Sequence, residues 1–262
     1  MPPRSLSVAA HFGELLQGRL GSDGPVALVT LPCPALRVTL TARSGGFALH
    51  QPDGRAIPLA EARRLFPHSA RLTLRAPMPL GGGAGVSTAA RVALLSLGGM
   101  TDPAELAAAC HALEGATDPL MFPDPARLLW ASRQGRVLAQ LPPLPRFDII
   151  GGFFGPPRRT DPADLHFSDI SDLVAAWPAA CASLPAIAQL ASESARRCLA
   201  LRGPAGDPTP ELAARLGALG WTMAHTGSAR GLIFAAGTVP DAALSDLRAA
   251  GFSTITRFGL GG

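Results

Sequence analysis

The feature of this sequence that most restricts its fold is the glycine-rich stretch LGGGAGVST, residues 80–88. An alternating segment before it, residues 70–76, predicts a strand, and the apolar residues after it predict a helix over about 87–97. A glycine loop between a strand and a helix N-terminus is typical of a phosphate site, because bare backbone and free helical N–H groups can reach the anion. The structural alternative is a tight turn that needs positive φ.

The composition excludes several known phosphate loops. The chain contains no lysine, so it holds neither a Walker A loop nor a protein-kinase glycine loop with its partner lysine. A dinucleotide fingerprint is also absent, since Val86 stands where its third glycine would be. A serine hydrolase remains as an alternative function. GVSTA differs at one residue from the GxSxG motif of these enzymes, and Ser87, Asp148 and His225 follow the Ser, Asp, His order of a catalytic triad along the chain. The proline and glycine residues between the strand and Ser87 argue against that alternative.

The remaining patterns place strands and helices in both halves of the chain, which predicts an α+β fold. The predicted strands are residues 24–32, 35–43, 147–154, 231–237 and 252–259, with a hairpin over 46–59 turning at Asp53–Gly54. The predicted helices are residues 101–115, 124–135, 209–220 and 240–251, with two buried pieces in 170–202 interrupted by Pro178 and Pro185. The first of these helices has a full start and stop signature, with Asp102 as N-cap, Pro103, Glu105 and a final Gly115. The proline-rich segment 141–146 predicts a linker.

Charge and cysteine usage restrict the partners and the compartment. The formal net charge is +4 without a long basic run, so we expect no nucleic-acid partner. Cys33, Cys110, Cys181 and Cys198 form no CxxC pair, which indicates buried reduced thiols. The N-terminus lacks the apolar region of a signal peptide. We therefore expect a cytoplasmic protein with no membrane partner.

Three motifs in order resemble those of the GHMP small-molecule kinases, the family of galactokinase, homoserine kinase and mevalonate kinase. HFGELLQG (11–18) resembles the first motif, PMPLGGGAGVSTA (77–89) the second, and AHTGSARGLIF (224–234) the third. The second motif departs from the family at Val86, where a first serine usually precedes Ser87. Within the family, GELLQG, LVTLPCP, HALEGATD and AHTGSARGL resemble the L-threonine kinases of cobalamin biosynthesis.

The resemblance implies a two-domain fold: an N-terminal α+β domain with a left-handed crossover and a ferredoxin-like C-terminal domain. We place the ATP-binding domain at residues 1–142 and the second domain at 143–262. The implied reaction is ATP- and Mg²⁺-dependent phosphorylation of L-threonine to O-phospho-L-threonine. Another small alcohol such as homoserine, or a non-catalytic nucleotide-binding role, stays open as an alternative. The oligomeric state is also open, and a homodimer is one possibility.

The motifs also imply roles for individual residues. Those expected to cradle the ATP phosphates are Pro79, Leu80, Gly81, Gly82, Gly83, Ala84, Gly85, Val86, Ser87 and Thr88. Ser87 should also touch Mg²⁺, and Glu114 matches the family's metal-binding glutamate; the alternative for Glu114 is a solvated carboxylate at a helix end. Asp118 is the candidate to accept or orient the proton of the substrate hydroxyl, with a turn aspartate before Pro119 as its alternative.

The first and third motifs are expected to hold the acceptor. The candidate residues are His11, Glu14, Gln17, His225, Thr226, Gly227 and Ser228. An amino-acid substrate carries an ammonium and a carboxylate group, so one acidic residue and one arginine would suit it. Arg230 could neutralise transition-state charge or lie on the surface, and Arg19, Arg43 and Arg91 have no assigned role.

Overall fold

The computed structural model describes residues 4–261, which contain ten β-strands and seven α-helices. The strands are β1 Arg4–Arg19, β2 Val26–Arg43, β3 Ala48–His50, β4 Arg71–Arg75, β5 Leu128–Ala131, β6 Arg136–Gln140, β7 Phe147–Phe153, β8 Gly220–Met223, β9 Ala229–Ala235 and β10 Ser253–Leu260. The helices are α1 Leu59–Leu65, α2 Val86–Leu97, α3 Pro103–Glu114, α4 Ser171–Ala180, α5 Leu184–Arg202, α6 Thr209–Arg215 and α7 Ala243–Ala249. The predicted α+β class is confirmed.

One curled sheet links both halves of the described chain. Its strand order is β10-β7-β9-β8-β1-β2-β4-β3, and β5 and β6 branch from β2. The long strand β1 pairs antiparallel with β2 along most of its length and joins β8 through the pair Glu14 and Met223. The first motif therefore lies where the N-terminal strands meet the C-terminal strands.

Helices α2 and α3 carry the loop and carboxylate predicted for phosphate and metal. α2 starts after Gly85, which adopts a left-handed φ of 65°, and its alanine-rich side packs against β1 and β2. The caps of α3 are those predicted: Asp102 accepts hydrogen bonds from the N–H groups of Ala104 and Glu105, and Gly115 ends the helix with a φ of 66°. These caps fix the end of α3, so Glu114 reaches the start of α2.

Two predicted elements are wrong. Asp124 and Pro125 begin only a three-residue 3₁₀ turn, and the predicted helix is replaced by β5, whose four residues are all buried between β2 and β6. The predicted hairpin at Asp53–Gly54 does not form, because β3 pairs in parallel with β4 instead. Asp53 accepts a hydrogen bond from the N–H of Ala76 and holds this connection against β4.

Other boundaries moved by smaller amounts. The strands predicted at 24–32 and 35–43 are one continuous strand, β2, and the helix predicted at 209–220 ends at Arg215 and is followed by β8. β1 has no counterpart in the prediction, because its second half is buried on both faces and shows no alternation. Residues 141–146 connect β6 and β7 without helix or strand, and the domain boundary near them stays a prediction.

The four cysteines are free and buried, as predicted. Burial raises the pKa of the Cys33 and Cys198 thiols to about 11, which keeps them protonated at neutral pH. The apolar stretch between residues 170 and 202 forms two helices, α4 and α5, with Pro178 inside the first and Pro185 in the first turn of the second. Within residues 4–261, no helix has both the length and the apolarity required to cross a membrane.

Candidate active site

A cavity of about 370 Å³ collects residues from all three motifs. Those from the second motif are Leu80, Gly81, Gly83, Ala84, Gly85, Val86, Ser87 and Thr88. The other predicted residues on its wall are His11, Glu114, Asp118, His225 and Thr226. Pro79 and Gly82 do not line the cavity. They form a turn of the loop, in which the Gly82 N–H donates to the Pro79 carbonyl at 3.0 Å. Three distant parts of the sequence thus face one space.

The glycine loop is fixed by its backbone conformation and by the third motif. Gly81, Gly83 and Gly85 have positive φ angles of 77°, 76° and 65°. A Cβ atom on Gly83 would also overlap the Cβ of Ala224 and the carbonyl oxygen of Thr226. The positive φ angles agree with the alternative of a tight turn, the close contacts of Gly83 are with the third motif, and phosphate binding by the loop stays a prediction.

Gly227 and Ser228 hold this loop rather than lining the cavity. The Gly82 carbonyl accepts hydrogen bonds from the Ser228 N–H at 2.9 Å and the Ala229 N–H at 2.8 Å. A Cβ atom on Gly227 would collide with the backbone of Gly82 and Gly83. The third motif consequently locks the second motif in place, and His225 and Thr226 remain as its cavity-facing residues.

The N-terminus of α2 opens onto the cavity. Its N-cap is Gly85, which has no side chain to bond the first helical N–H groups, and Val86, Ser87 and Thr88 all line the cavity. Free N–H groups at the start of a helix of 12 residues, reinforced by the helix dipole, form an anion site. This end of the cavity is therefore suited to phosphate oxygens.

Glu114 lies at the same end and is bonded on both oxygens. Ser87 donates its hydroxyl hydrogen to Oε1, Thr88 donates to Oε2 at 2.8 Å, and Nη1 of Arg91 lies 2.8 Å from Oε1 and also donates to the Ser87 hydroxyl. The side chain of Glu114 is only 10% exposed, so it is not the solvated carboxylate of the alternative hypothesis. Burial raises the pKa of Glu114, while the charge of Arg91 acts in the opposite direction.

Arg91 is clamped between two carboxylates. Its Nε lies 2.8 Å from Oε1 of Glu61, and its Nη1 contacts Glu114. Arg91 follows Ser87 by four residues, so both lie on one face of α2, and this spacing is the signal that could have assigned it to the site. Glu61, on α1, had no such signal because it is far from the motifs in sequence.

His11 and Asp118 form an ion pair beside the glycine loop, where the His11 N–H donates to the Ala84 carbonyl at 3.2 Å. His11 Nε2 lies 3.3 Å from Asp118 Oδ2. Burial lowers the pKa of His11, but the charges of Asp118 and Glu14 outweigh it and raise the pKa to about 9. Burial raises the pKa of Asp118, and the His11 charge and hydrogen bond overcome this and lower it. At neutral pH the cavity therefore contains an ionised carboxylate held by an imidazolium.

The stability of the protein should depend on His11 between about pH 6.5 and about pH 9. Because its pKa rises on folding from 6.5 to about 9, its contribution is fully present below pH 6.5 and is lost as the pH rises through 9. We expect the free energy of unfolding to fall by about 1–3 kcal/mol over this interval relative to a His11→Gln variant. Urea unfolding of both proteins at about pH 6 and about pH 9.5 measures this difference. Equal pH dependence of the two proteins would contradict it.

Glu14 and Gln17 lie behind the cavity wall. Glu14 Oε1 is 3.5 Å from Nδ1 of His11 and 3.6 Å from Nδ1 of His225, and its side chain is fully buried. Gln17 donates from Nε2 to the Met223 carbonyl at 2.8 Å. Neither residue lines the cavity. Glu14 therefore lies against the imidazole rings of His11 and His225, and the hydrogen bond of Gln17 joins β1 to β8.

The ligand atoms of His11, Glu14 and Asp118 lie within 4.8 Å of one another, a spacing that a metal ion could bridge. A histidine must be deprotonated to bind a metal, and the raised pKa of His11 opposes this at neutral pH. The Ser87 hydroxyl and the Glu114 carboxylate are the better metal ligands, since both supply oxygen and lie beside the anion site.

The hydrolase triad is not assembled. Asp148 accepts hydrogen bonds from Arg257 at 3.0 Å and from the Gly237 N–H at 3.1 Å, and it does not line the cavity that holds Ser87 and His225. Arg230 likewise lies outside the cavity wall. It is buried, with its Nε 2.7 Å from Asp207 Oδ2, so it takes neither of the roles considered from the sequence.

The comparisons with known proteins concern the fold. No protein-family profile and no curated protein matches the sequence. Solved structures do match over nearly the whole chain: a mevalonate kinase (TM-score 0.67, 10% identity, 98% of both chains), the mevalonate kinase of Staphylococcus aureus MRSA252 (0.65, 17%, 99% of this chain and 100% of that one) and the homoserine kinase of Cytophaga hutchinsonii (0.62, 16%, 98% and 93%). These neighbours are GHMP kinases, and at such low identity the likeness establishes a shared fold.

Proposed function

We propose that this chain is an ATP-dependent kinase that phosphorylates the hydroxyl group of L-threonine. The observation that carries the proposal is that one cavity joins an uncapped helix N-terminus, a hydroxyl–carboxylate pair and an ionised aspartate. Phosphoryl transfer needs mainly positioning and charge neutralisation, and these groups supply both. The full-length likeness to mevalonate and homoserine kinases supports the class of reaction, and the motif resemblance supports threonine.

The phosphate end is built from the glycine loop and the start of α2. The loop backbone from Gly81 to Gly85 can approach phosphate oxygens closely, and the first residues of α2 line the cavity with no side chain capping their N–H groups. Because the chain contains no lysine, the positive side chains at this end are arginines, with Arg91 buried and Arg55 and Arg158 at the rim. They would neutralise part of the phosphate charge.

The residues at this end fit a magnesium ion. Ser87 and Glu114 offer a hydroxyl and a carboxylate oxygen, which are the hard ligands that Mg²⁺ prefers, and the remaining ligands would be phosphate oxygens and water. A magnesium ion held by these residues would neutralise part of the charge on the ATP phosphates. Arg91, which contacts both Ser87 and Glu114, holds the two ligands together and has Glu61 as a second carboxylate partner.

Asp118 is placed to receive the acceptor hydroxyl. Its carboxylate faces the cavity, is 16% exposed and is kept ionised by His11. An ionised carboxylate orients a hydroxyl group through a short hydrogen bond and can take its proton as the O–P bond forms. His11 does not move this proton in our proposal; it holds Asp118 in its charged form.

Val86 does not argue for a non-catalytic protein. Val86 itself is buried, and the hydroxyl groups of Ser87 and Thr88 each bond one oxygen of Glu114. Two hydroxyl groups therefore still bond the Glu114 carboxylate, although valine replaces the first serine of the family motif. This arrangement favours an active kinase over the nucleotide-binding alternative.

Release of ADP from Mg-ATP tests the function. The protein is incubated with L-threonine, L-serine, L-homoserine or no acceptor, and ADP is measured by a coupled assay. We expect release that depends on threonine, with O-phosphothreonine as product. Release with homoserine alone would keep the kinase and replace its substrate. No release with any acceptor, in protein that binds ATP, would reject the kinase proposal.

A further inference from the structure

Arg133 is a half-buried cation without a carboxylate partner in the described chain. It lies in the turn between β5 and β6 and lines the cavity. Its Nη1 donates to the Ser132 hydroxyl at 3.1 Å and lies 3.5 Å from His225 Nε2. Its Nη2 reaches only backbone carbonyls, those of Asp161 at 3.3 Å and Asp164 at 3.5 Å. None of these bonds in residues 4–261 goes to a carboxylate.

The Nε atom of Arg133 is also unsatisfied. It is buried and has no hydrogen-bond partner among the described residues. Burial lowers the pKa of Arg133, while Asp118 and Asp164 oppose this from a distance. A guanidinium that is half removed from water and lacks a paired anion is costly, so the arrangement is suited to an anionic ligand.

Three other largely buried arginines of the chain are paired. Their closest ion pairs are Arg91 with Glu61 at 2.8 Å, Arg202 with Asp164 at 2.6 Å and Arg230 with Asp207 at 2.7 Å. Arg133 is partly exposed, lines the cavity and has no carboxylate partner among the described residues.

Packing holds the Arg133 guanidinium in place before any ligand binds. Its Cζ lies 5.5 Å from the centre of the Phe167 ring, and Phe167 in turn packs on the His225 ring with their centres 5.7 Å apart. Arg202 lies on Phe167 at 4.1 Å. A guanidinium fixed in this way loses little freedom when it binds.

The position of Arg133 matches the acceptor end of the cavity. It adjoins His225, and the Glu14 side chain connects His225 to His11, the partner of Asp118. In threonine the carboxylate carbon is two bonds from the carbon that bears the hydroxyl. A hydroxyl at Asp118 therefore leaves the carboxylate within reach of a neighbouring side chain.

We propose that Arg133 binds the carboxylate of the acceptor and so selects hydroxy amino acids over uncharged alcohols. This inference rests on the proposed function, which supplies an acceptor at Asp118. Because Nε is buried, the donors of Arg133 that a carboxylate could reach are the N–H groups of Nη1 and Nη2, a pair that can bind a carboxylate in bidentate fashion. The positive charge of Arg133 would also offset part of the Asp118 charge, which acts on it through space.

The test compares acceptors with and without the carboxylate. KM and kcat are measured for L-threonine and for L-threoninamide, with the unaltered protein and with Arg133→Met, Arg133→Lys and Arg136→Met. We expect Arg133→Met to raise KM for threonine by about 10- to 100-fold and to leave KM for the amide within about threefold. Arg133→Lys should recover part of the threonine affinity. Arg136, an exposed residue on the same β5–β6 unit, is the matched control and should change neither KM.

Calorimetric binding of threonine and of threoninamide is measured on the same proteins. If Arg133→Met weakens both acceptors equally, or neither, the assignment of Arg133 to the carboxylate is overturned. If threonine binds and Arg133→Met abolishes this binding while no ADP is released, the kinase proposal fails and the carboxylate assignment stands. If the unaltered protein binds no amino acid that carries a free carboxylate, the assignment fails.

Discussion

Replacing Asp118 with asparagine is expected to lower kcat for phosphoryl transfer by roughly two to four orders of magnitude. The substitution keeps the size of the side chain and an acceptor oxygen, but it removes the charge that His11 holds in place at 3.3 Å. The hydroxyl would then lose the ionised group that orients it and takes its proton. Because Asp118 pairs with His11 and no described hydrogen bond joins it to the glycine loop, KM for ATP should change by no more than about threefold. Steady-state kinetics with saturating Mg-ATP measure both quantities.

Asp148→Asn is the matched control for this experiment. Asp148 is also an aspartate with a lowered pKa, held by the Gly237 N–H and Arg257, but it lies outside the cavity. Its replacement should leave kcat unchanged. A kcat for Asp118→Asn within about threefold of the unaltered protein would assign hydroxyl orientation to another group and remove Asp118 from the reaction.

Replacing Glu114 with glutamine should abolish most turnover and raise the Mg²⁺ concentration needed for half-maximal activity by roughly 100-fold. The carboxylate charge is lost, and the amide nitrogen cannot serve as a metal ligand. The bonds from Thr88 and Arg91 to the carboxylate oxygens would also be disturbed. Initial rates as a function of free Mg²⁺ at fixed ATP measure the shift.

Two further variants separate the metal from the arginine. Ser87→Ala should raise the Mg²⁺ requirement in the same direction, because Ser87 is the other proposed ligand. Glu61→Gln removes the second carboxylate from Arg91 without touching either proposed ligand, so its Mg²⁺ dependence should match that of the unaltered protein. If Glu61→Gln and Glu114→Gln raise the Mg²⁺ requirement equally, the effect comes from the loss of an ion pair with Arg91 and not from the loss of a metal ligand.

Local sequence signals predicted the parts of this site that are made by neighbouring residues. The glycine loop, the start of α2 and the caps of α3 are all short-range features, and the structure places them as predicted. Resemblance of three motifs to a kinase family added the expectation that His11, Glu114, Asp118 and His225 would meet. They do line one cavity, although the separation between His11 and His225 in sequence is far beyond any local pattern.

Long-range packing decided which residues face the cavity. Glu14 and Gln17 belong to the first motif but lie behind the wall, since Gln17 bonds the Met223 carbonyl on β8 and Glu14 lies against the His11 and His225 rings. Glu61 and Arg133 face the cavity but belong to no motif, because the β5–β6 turn and α1 reach it only through the folded sheet. The helix predicted at 124–135 failed for the same reason: burial between two strands overrides a local helix-start signal.

The sequence by itself determined the glycine loop and the uncapped helix start at which we propose that phosphate binds, since positive φ and an uncapped helix start depend on a few adjacent residues. It also determined that one helix, α3, begins after Asp102 and ends at Gly115. Only the tertiary structure decided the charge states and partners of the buried groups. The pKa of His11, the two ion pairs of Arg91 and the lack of a carboxylate partner for Arg133 within residues 4–261 each depend on atoms from distant segments whose separation is set by packing. Electrostatic interactions depend on these distances and on burial, and neither can be obtained from spacing along the chain.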